Sequence, residues 1–118
     1  ALRGQPIEIW GDGSVQRDYI HVSDVADAFA KAITYNGTQE CFNISSGKGT
    51  SLNDLISMMD DIIPEPLNVE YKPGRTFDLD ISVLCNKLAK QELGWEPKVS
   101  MRDGLARAAG WMKQTLGK

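Results

Sequence analysis

The sequence predicts an α/β chain in which short strands alternate with helices, and three observations carry that prediction. Apolar residues alternate with polar ones at Ile7 and Ile9, the period of a strand. Stripes at helical spacing run from Val25 to Ile33 and from Leu52 to Ile63. Turn-forming residues at Gly11-Asp12-Gly13, Asn36-Gly37 and Pro73-Gly74 separate these runs.

Taken in order, Ile7, Ile9 and Val15 bracket a strand followed by a tight turn at Gly11-Asp12-Gly13. A second strand is expected over Arg17-Asp18-Tyr19-Ile20-His21-Val22, with Arg17, Tyr19 and His21 on one face. Ser23 is the expected cap of a helix that buries Val25, Ala26, Phe29, Ala32 and Ile33, and Asn36-Gly37 ends it. Phe42-Asn43-Ile44 reads as a short strand running into a loop over Ser45–Gly49. The best-marked element follows: Leu52, Leu55, Ile56, Met59, Ile62 and Ile63 form one stripe, Ser51 and Asp54 resemble a capping box, and Pro64 marks the end. Val69 and Tyr71 suggest a strand up to Pro73-Gly74. A third helix is expected near Asn86 to Leu93, stopped by Gly94. The last runs from a Ser100 cap through Leu105, Ala108, Met112 and Leu116.

At 118 residues, 42% of them apolar and 25% charged, the chain has the make-up of a soluble globular domain. No apolar run approaches the roughly 18 residues of a membrane span, and no secretory signal is expected at the start. A net charge of −3 argues against a general nucleic-acid binder, though a few local arginines suffice for one phosphorylated ligand. Cys41 and Cys85 have no metal-ligand spacing, and the single histidine, His21, completes no metal site with them. Both thiols are expected as small buried groups in a reducing cytoplasm. The chain opens on Ala1 with a strand pattern almost at once, as a fragment of a longer protein would.

Two glycine patterns fail as cofactor motifs. Gly11-x-Gly13 has Gln16 where a dinucleotide fingerprint needs its third glycine, and it precedes a strand. Gly47-Lys48-Gly49-Thr50 lacks the upstream glycine of a phosphate loop and the Ser or Thr after its lysine. Asp60 and Asp61 diverge on a helix and read as a solvated face. Two other segments carry sharper chemistry. Arg17-Asp18-Tyr19-Ile20-His21-Val22-Ser23-Asp24-Val25-Ala26 presents a guanidinium suited to phosphate, with a salt bridge to Asp18 or Asp24 as the plainer alternative. Pro73-Gly74-Arg75-Thr76-Phe77-Asp78 presents a second arginine on a turn, with a carboxylate that can accept from sugar hydroxyls or pair with Arg75. His21 reads as a hydrogen-bonded structural residue before it reads as a base.

Together and in this order, these segments resemble the extended short-chain dehydrogenase/reductase family, the NAD-dependent epimerases and dehydratases. Pro6-Ile7-Glu8-Ile9-Trp10-Gly11-Asp12-Gly13, Phe42-Asn43-Ile44-Ser45-Ser46-Gly47 with Thr50-Ser51-Leu52, and Glu92-Leu93-Gly94-Trp95-Glu96-Pro97 with Gly104-Leu105 and Trp111 extend the resemblance over nearly the whole chain. It implies that residues 1–118 are the carboxy-terminal, nucleotide-sugar-binding portion of a Rossmann-type enzyme. In that reading Arg17 and Tyr19 bind the diphosphate and neighbouring sugar, and Arg75 is a second diphosphate ligand. Asp78 holds the ribose hydroxyls, while Ile9 and Trp10 line the uracil pocket largely through backbone groups. Cys85 stands where relatives often carry a helix-starting aspartate.

The resemblance also implies what this chain lacks. NAD and the Tyr-x-x-x-Lys catalytic pair belong to a part upstream, so no catalytic, cofactor-binding or metal-binding residue is expected here and the chain alone is expected to be inactive. The implied parent is a cytoplasmic, homodimeric, NAD-dependent epimerase acting at C4 of a substrate such as UDP-glucose or UDP-galactose. A 4,6-dehydratase or reductase of the same family, or a stand-alone sugar-nucleotide-binding module, are the alternatives.

Overall fold

The computed structural model describes residues 1–116 and every side chain among them but that of Leu116, so that member of the expected last stripe lies outside the described residues. In chain order the elements are β1 (Ile7–Trp10), β2 (Gln16–Asp18), α1 (Val22–Ile33), β3 (Gly49–Ser51), α2 (Leu52–Ile62), β4 (Val69–Lys72), β5 (Ile81–Ser82), α3 (Lys87–Leu93) and α4 (Met101–Leu116). Strands and helices mix as the sequence predicts. β1 pairs in parallel with β4, from Ile7 opposite Val69 to Trp10 opposite Lys72. β2 lies between β3, antiparallel, and β5, parallel. The turn after β1 therefore carries the chain from one sheet to the other.

Local signals placed α2 well. Ser51 is its N-cap and exchanges both capping-box bonds with Asp54, and the helix stops one residue before Ile63, the C-cap. Its apolar side meets Leu105, Ala108 and Met112 of α4, and Arg102 Nη1 reaches Asp61 Oδ2 at 2.8 Å across the same junction. Gly94 ends α3 in the left-handed region at φ 58°, a conformation open to glycine at little cost. Ser100 caps α4, its Oγ accepting from the Asp103 N–H at 3.1 Å.

Several expectations are corrected. The expected strand over 17–22 ends at Asp18, because its partners are only three and two residues long and the ladder runs out at Gly49. Tyr19 and His21 thus do not share a strand face with Arg17. His21, not Ser23, caps α1: its Nδ1 accepts from the Ser23 N–H at 3.2 Å. Gly49–Ser51 is a strand that begins at the last residue of the expected loop, and β5 is too short for periodicity to reveal. No strand forms at Phe42-Asn43-Ile44, since among the described residues no strand lies alongside to share a ladder. Both cysteines are exposed, Cys41 in the irregular stretch before Phe42 and Cys85 ahead of α3. The cap position of α3 falls on Asn86, whose amide instead donates to the Ser45 carbonyl at 2.8 Å.

The largest correction concerns α1. Its apolar stripe faces outward, with Phe29 70% and Ile33 85% exposed, while Asp24 and Ala28 are buried. The cause is Trp95, which is fully buried and packs with Ala28 and Ala89 at the centre of the core. Its indole N–H donates to the Asp24 carbonyl at 2.9 Å. The Asp24 carboxylate in turn accepts from the backbone N–H groups of Lys98 and Val99 at 3.1 and 3.0 Å. A carboxylate satisfied by two backbone donors can be buried without an unpaired-charge penalty, and this clasp decides which side of α1 turns inward.

Candidate functional site

At the carboxyl ends of β1 and β4, the end of parallel strands where α/β folds place ligands, the structure brings Trp10 and Arg75 together. Ile9 is buried, so its side chain serves the core, and Trp10 on the opposite face is 42% exposed. The Ile7 N–H donates to the Asn68 carbonyl at 2.8 Å and the Gly11 N–H to the Lys72 carbonyl at 2.9 Å. Alternation along a parallel ladder then turns the backbone N–H and C=O of Trp10 to the edge away from β4, which no described strand occupies. That edge can meet a planar base with one donor and one acceptor.

Turns hold the two strand ends together. Gly11 has φ 95° and lies against Gly74: a Cβ added at Gly74 would stand 3.4 Å from the Gly11 Cα. Across this contact the Arg75 guanidinium lies over the Trp10 ring, its Cζ 4.5 Å from the centroid. Asn53, in the first turn of α2, donates to the Asp12 carbonyl at 2.9 Å and accepts from the Tyr71 hydroxyl at 2.9 Å, pinning the turn. Asp12 accepts from the Ser14 hydroxyl and N–H, which holds its carboxyl below the ordinary aspartate value. Lys72 shares the Trp10 face and bonds Glu70 at 2.8 Å, with Glu8 at 3.8 Å. The Glu70 hydrogen bond, followed by its charge, pushes the lysine above its ordinary value. The sequence reading missed Asn53 and Tyr71, whose roles depend on distant partners.

Arg17 contacts the chain one residue past the second arginine segment. Arg17 Nη1 donates to the carbonyls of Gln16 and Leu79, each at 2.8 Å, and Leu79 directly follows Asp78. Both bonds use one nitrogen, so three of the five guanidinium N–H donors remain beyond these contacts. The plainer alternatives do not hold among the described residues. Asp18 accepts from the N–H groups of Ser46, Gly47 and Leu84 and from the Ser46 hydroxyl, and Asp24 is held as above, so neither pairs with Arg17. Asp78 meets Arg75 only through backbone, its N–H donating to the Arg75 carbonyl at 3.3 Å. Tyr19 lies elsewhere, beside Ile20 and His21 in an apolar groove of about 650 Å³ closed by α4 residues such as Leu105 and Trp111.

Neither glycine pattern opens a helix among the described residues. A dinucleotide cradle needs a glycine turn opening a helix. Here Gly11-Asp12-Gly13 leads to β2 and Gly47-Lys48 to β3, while α1 and α2 start from His21 and Ser51 caps.

Comparison with known proteins gives a consistent picture. The NAD dependent epimerase/dehydratase family matches residues 1–45. A UDP-glucose 4-epimerase of Mycolicibacterium smegmatis is 37% identical over 112 residues, 95% of this chain and 36% of the relative. The solved UDP-glucose 4-epimerase of Thermotoga maritima, with UDP-glucose, superposes with a TM-score of 0.90 at 41% identity, covering 98% of this chain and 37% of that one. The Bacillus cereus UDP-glucuronic acid 4-epimerase, solved with UDP-glucuronic acid and NAD, gives 0.86 at 25% identity over 97% and 37%. The chain spans about a third of the length of the curated relatives it matches. Its architecture is that of the Rossmann-type short-chain dehydrogenase/reductase enzymes. Within that class, the chain belongs to the NAD dependent epimerase/dehydratase family.

Proposed function

We propose that this chain is the nucleotide-diphosphate-binding portion of an NAD-dependent epimerase that inverts C4 of a UDP-sugar such as UDP-glucose or UDP-galactose. The observation that carries this reading is the Arg17 bond to the Leu79 carbonyl, one residue past the second arginine segment, with Arg75 of that segment held over Trp10 at the β1–β4 end. The Trp10 backbone edge suits a uracil, the guanidinium groups of Arg17 and Arg75 suit a diphosphate, and Asp78 suits a ribose diol. Tyr19 sits in a separate apolar groove, and its role on the sugar side rests on the family resemblance. In the intact enzyme NAD supplies hydride removal and return, from a part beyond this chain. Calorimetric titration of UDP tests the arginine roles: Arg17→Ala and Arg75→Ala should each cost about 1.5–3 kcal/mol, the range for a charged hydrogen bond. Unchanged affinity in both variants rejects the site.

The outward face of α1 supports the same reading. Val22, Phe29 and Ile33 are 73%, 70% and 85% exposed, more apolar surface than one helix of a finished domain leaves open. The occupant we assign is the cofactor-holding portion, given that the matched relatives are about three times as long. By itself the 118-residue chain should neither bind NAD nor convert a UDP-sugar, and it should bind a hydrophobic dye or self-associate. Phe29→Ser with Ile33→Ser should reduce dye binding while changing stability by less than about 0.5 kcal/mol each. A dye-silent monomer, or measurable NAD affinity, would overturn this assignment.

A further inference from the structure

The Trp10–Arg75 contact has a feature that a salt bridge lacks. Arg75 is exposed and, among the described residues, makes no ion pair, whereas Lys72 on the same strand end is committed to Glu70 and Glu8. Arg75 is the cation at this rim still open to an anion. A flexible exposed guanidinium loses rotamer freedom when it takes up a phosphate. A carboxylate could hold it in place, but would neutralise the charge and occupy its donors. The indole face attracts the cation through its quadrupole, takes none of the in-plane N–H donors and leaves the charge intact. The turns that carry the two residues are adjacent, a Cβ added at Gly74 standing in ordinary contact at 3.4 Å from the Gly11 Cα.

We infer that Trp10 is a positioning residue for Arg75, holding the guanidinium in place for a diphosphate through its ring, separately from any contact with a base. The inference rests on Arg75 being a diphosphate ligand, and the test separates the two ideas. Inorganic diphosphate and uridine are titrated separately into the full chain and into Trp10→Leu, Trp10→Tyr, Arg75→Ala and the Trp10→Leu/Arg75→Ala double variant. Circular dichroism checks the fold of each. Trp10→Leu should weaken inorganic diphosphate about two- to fivefold, the span of an exposed cation–π contact. Trp10→Tyr should recover most of that loss, because a phenol ring keeps the attraction. In the Arg75→Ala background, Trp10→Leu should have no further effect on inorganic diphosphate. If Trp10→Leu weakens uridine alone, or weakens inorganic diphosphate equally with and without Arg75, the positioning role is wrong and the Arg75 assignment stands. If Arg75→Ala leaves inorganic diphosphate unchanged, or the unaltered chain does not bind it, the underlying assignment fails.

Discussion

Asp18 and Asp24 give their carboxylates to the chain itself, while Arg17 and Arg75 hold most of their donors in reserve. The two aspartates lie in the same short segment as Arg17, and both close on backbone N–H groups from far along the sequence: Ser46, Gly47 and Leu84 for one, Lys98 and Val99 for the other. Arg17 is tethered by a single nitrogen, and Arg75 rests on a ring. A run of charged residues is thus divided between groups that close on the fold and groups left with free donors. The division follows from whether backbone donors converge on the group.

The sharpest way to break the contrast is Asp24→Ala, which strands two part-buried N–H groups. It should cost about 2–4 kcal/mol and lower Tm by roughly 10–20 °C in a thermal melt, whatever ligand is present. A change under about 1 kcal/mol would mean the clasp is ornamental to α1. On the other side of the contrast, Asp78→Asn should leave the melt within about 0.5 kcal/mol of the unaltered chain. It should weaken UDP by about 1–2 kcal/mol and inorganic diphosphate not at all, since only UDP carries the diol. Equal losses for the two ligands would move Asp78 to the structural side, as support for Arg75. The smallest effect is at Ser14. Hydrogen bonds from Ser14 depress the Asp12 carboxyl in the folded state, so they stabilise the fold above the ordinary aspartate value and are lost as pH falls through the depressed one. Ser14→Ala should raise the Asp12 pKa toward its ordinary value in a carbon-detected NMR titration, and an unmoved titration curve would assign the depression to another cause.

Much of this was legible in the sequence, and the limits have a common origin. The capping box at Ser51 and Asp54, the stop at Gly94 and the β1 strand are set by neighbours within four residues, and they appear where expected. The pairing of the arginine segments came only from family resemblance; the Arg17 bond reaches Leu79, just past the second of them. What misled was direction and extent. The stripe of α1 has the spacing of a buried face, but spacing does not say which partner buries it, and within this chain Trp95 takes the other side. Phe42-Asn43-Ile44 has strand composition, but a ladder needs a neighbour. The duties of Asp18, Asp24 and Asn53 depend on donors and acceptors far away in sequence, and no local pattern announces them.

The facing glycines give the rim a frame of bare backbone. Gly11 and Gly74 face each other with no side chain between them, and the Gly11 φ of 95° keeps other residues off that position, while a Cβ at Gly74 would stand in ordinary contact with it. A chain built this way can adapt to a different ligand by changing what it hangs from the frame, at Trp10 or along residues 75–80. The frame itself is constrained on the Gly11 side, where the backbone conformation favours glycine.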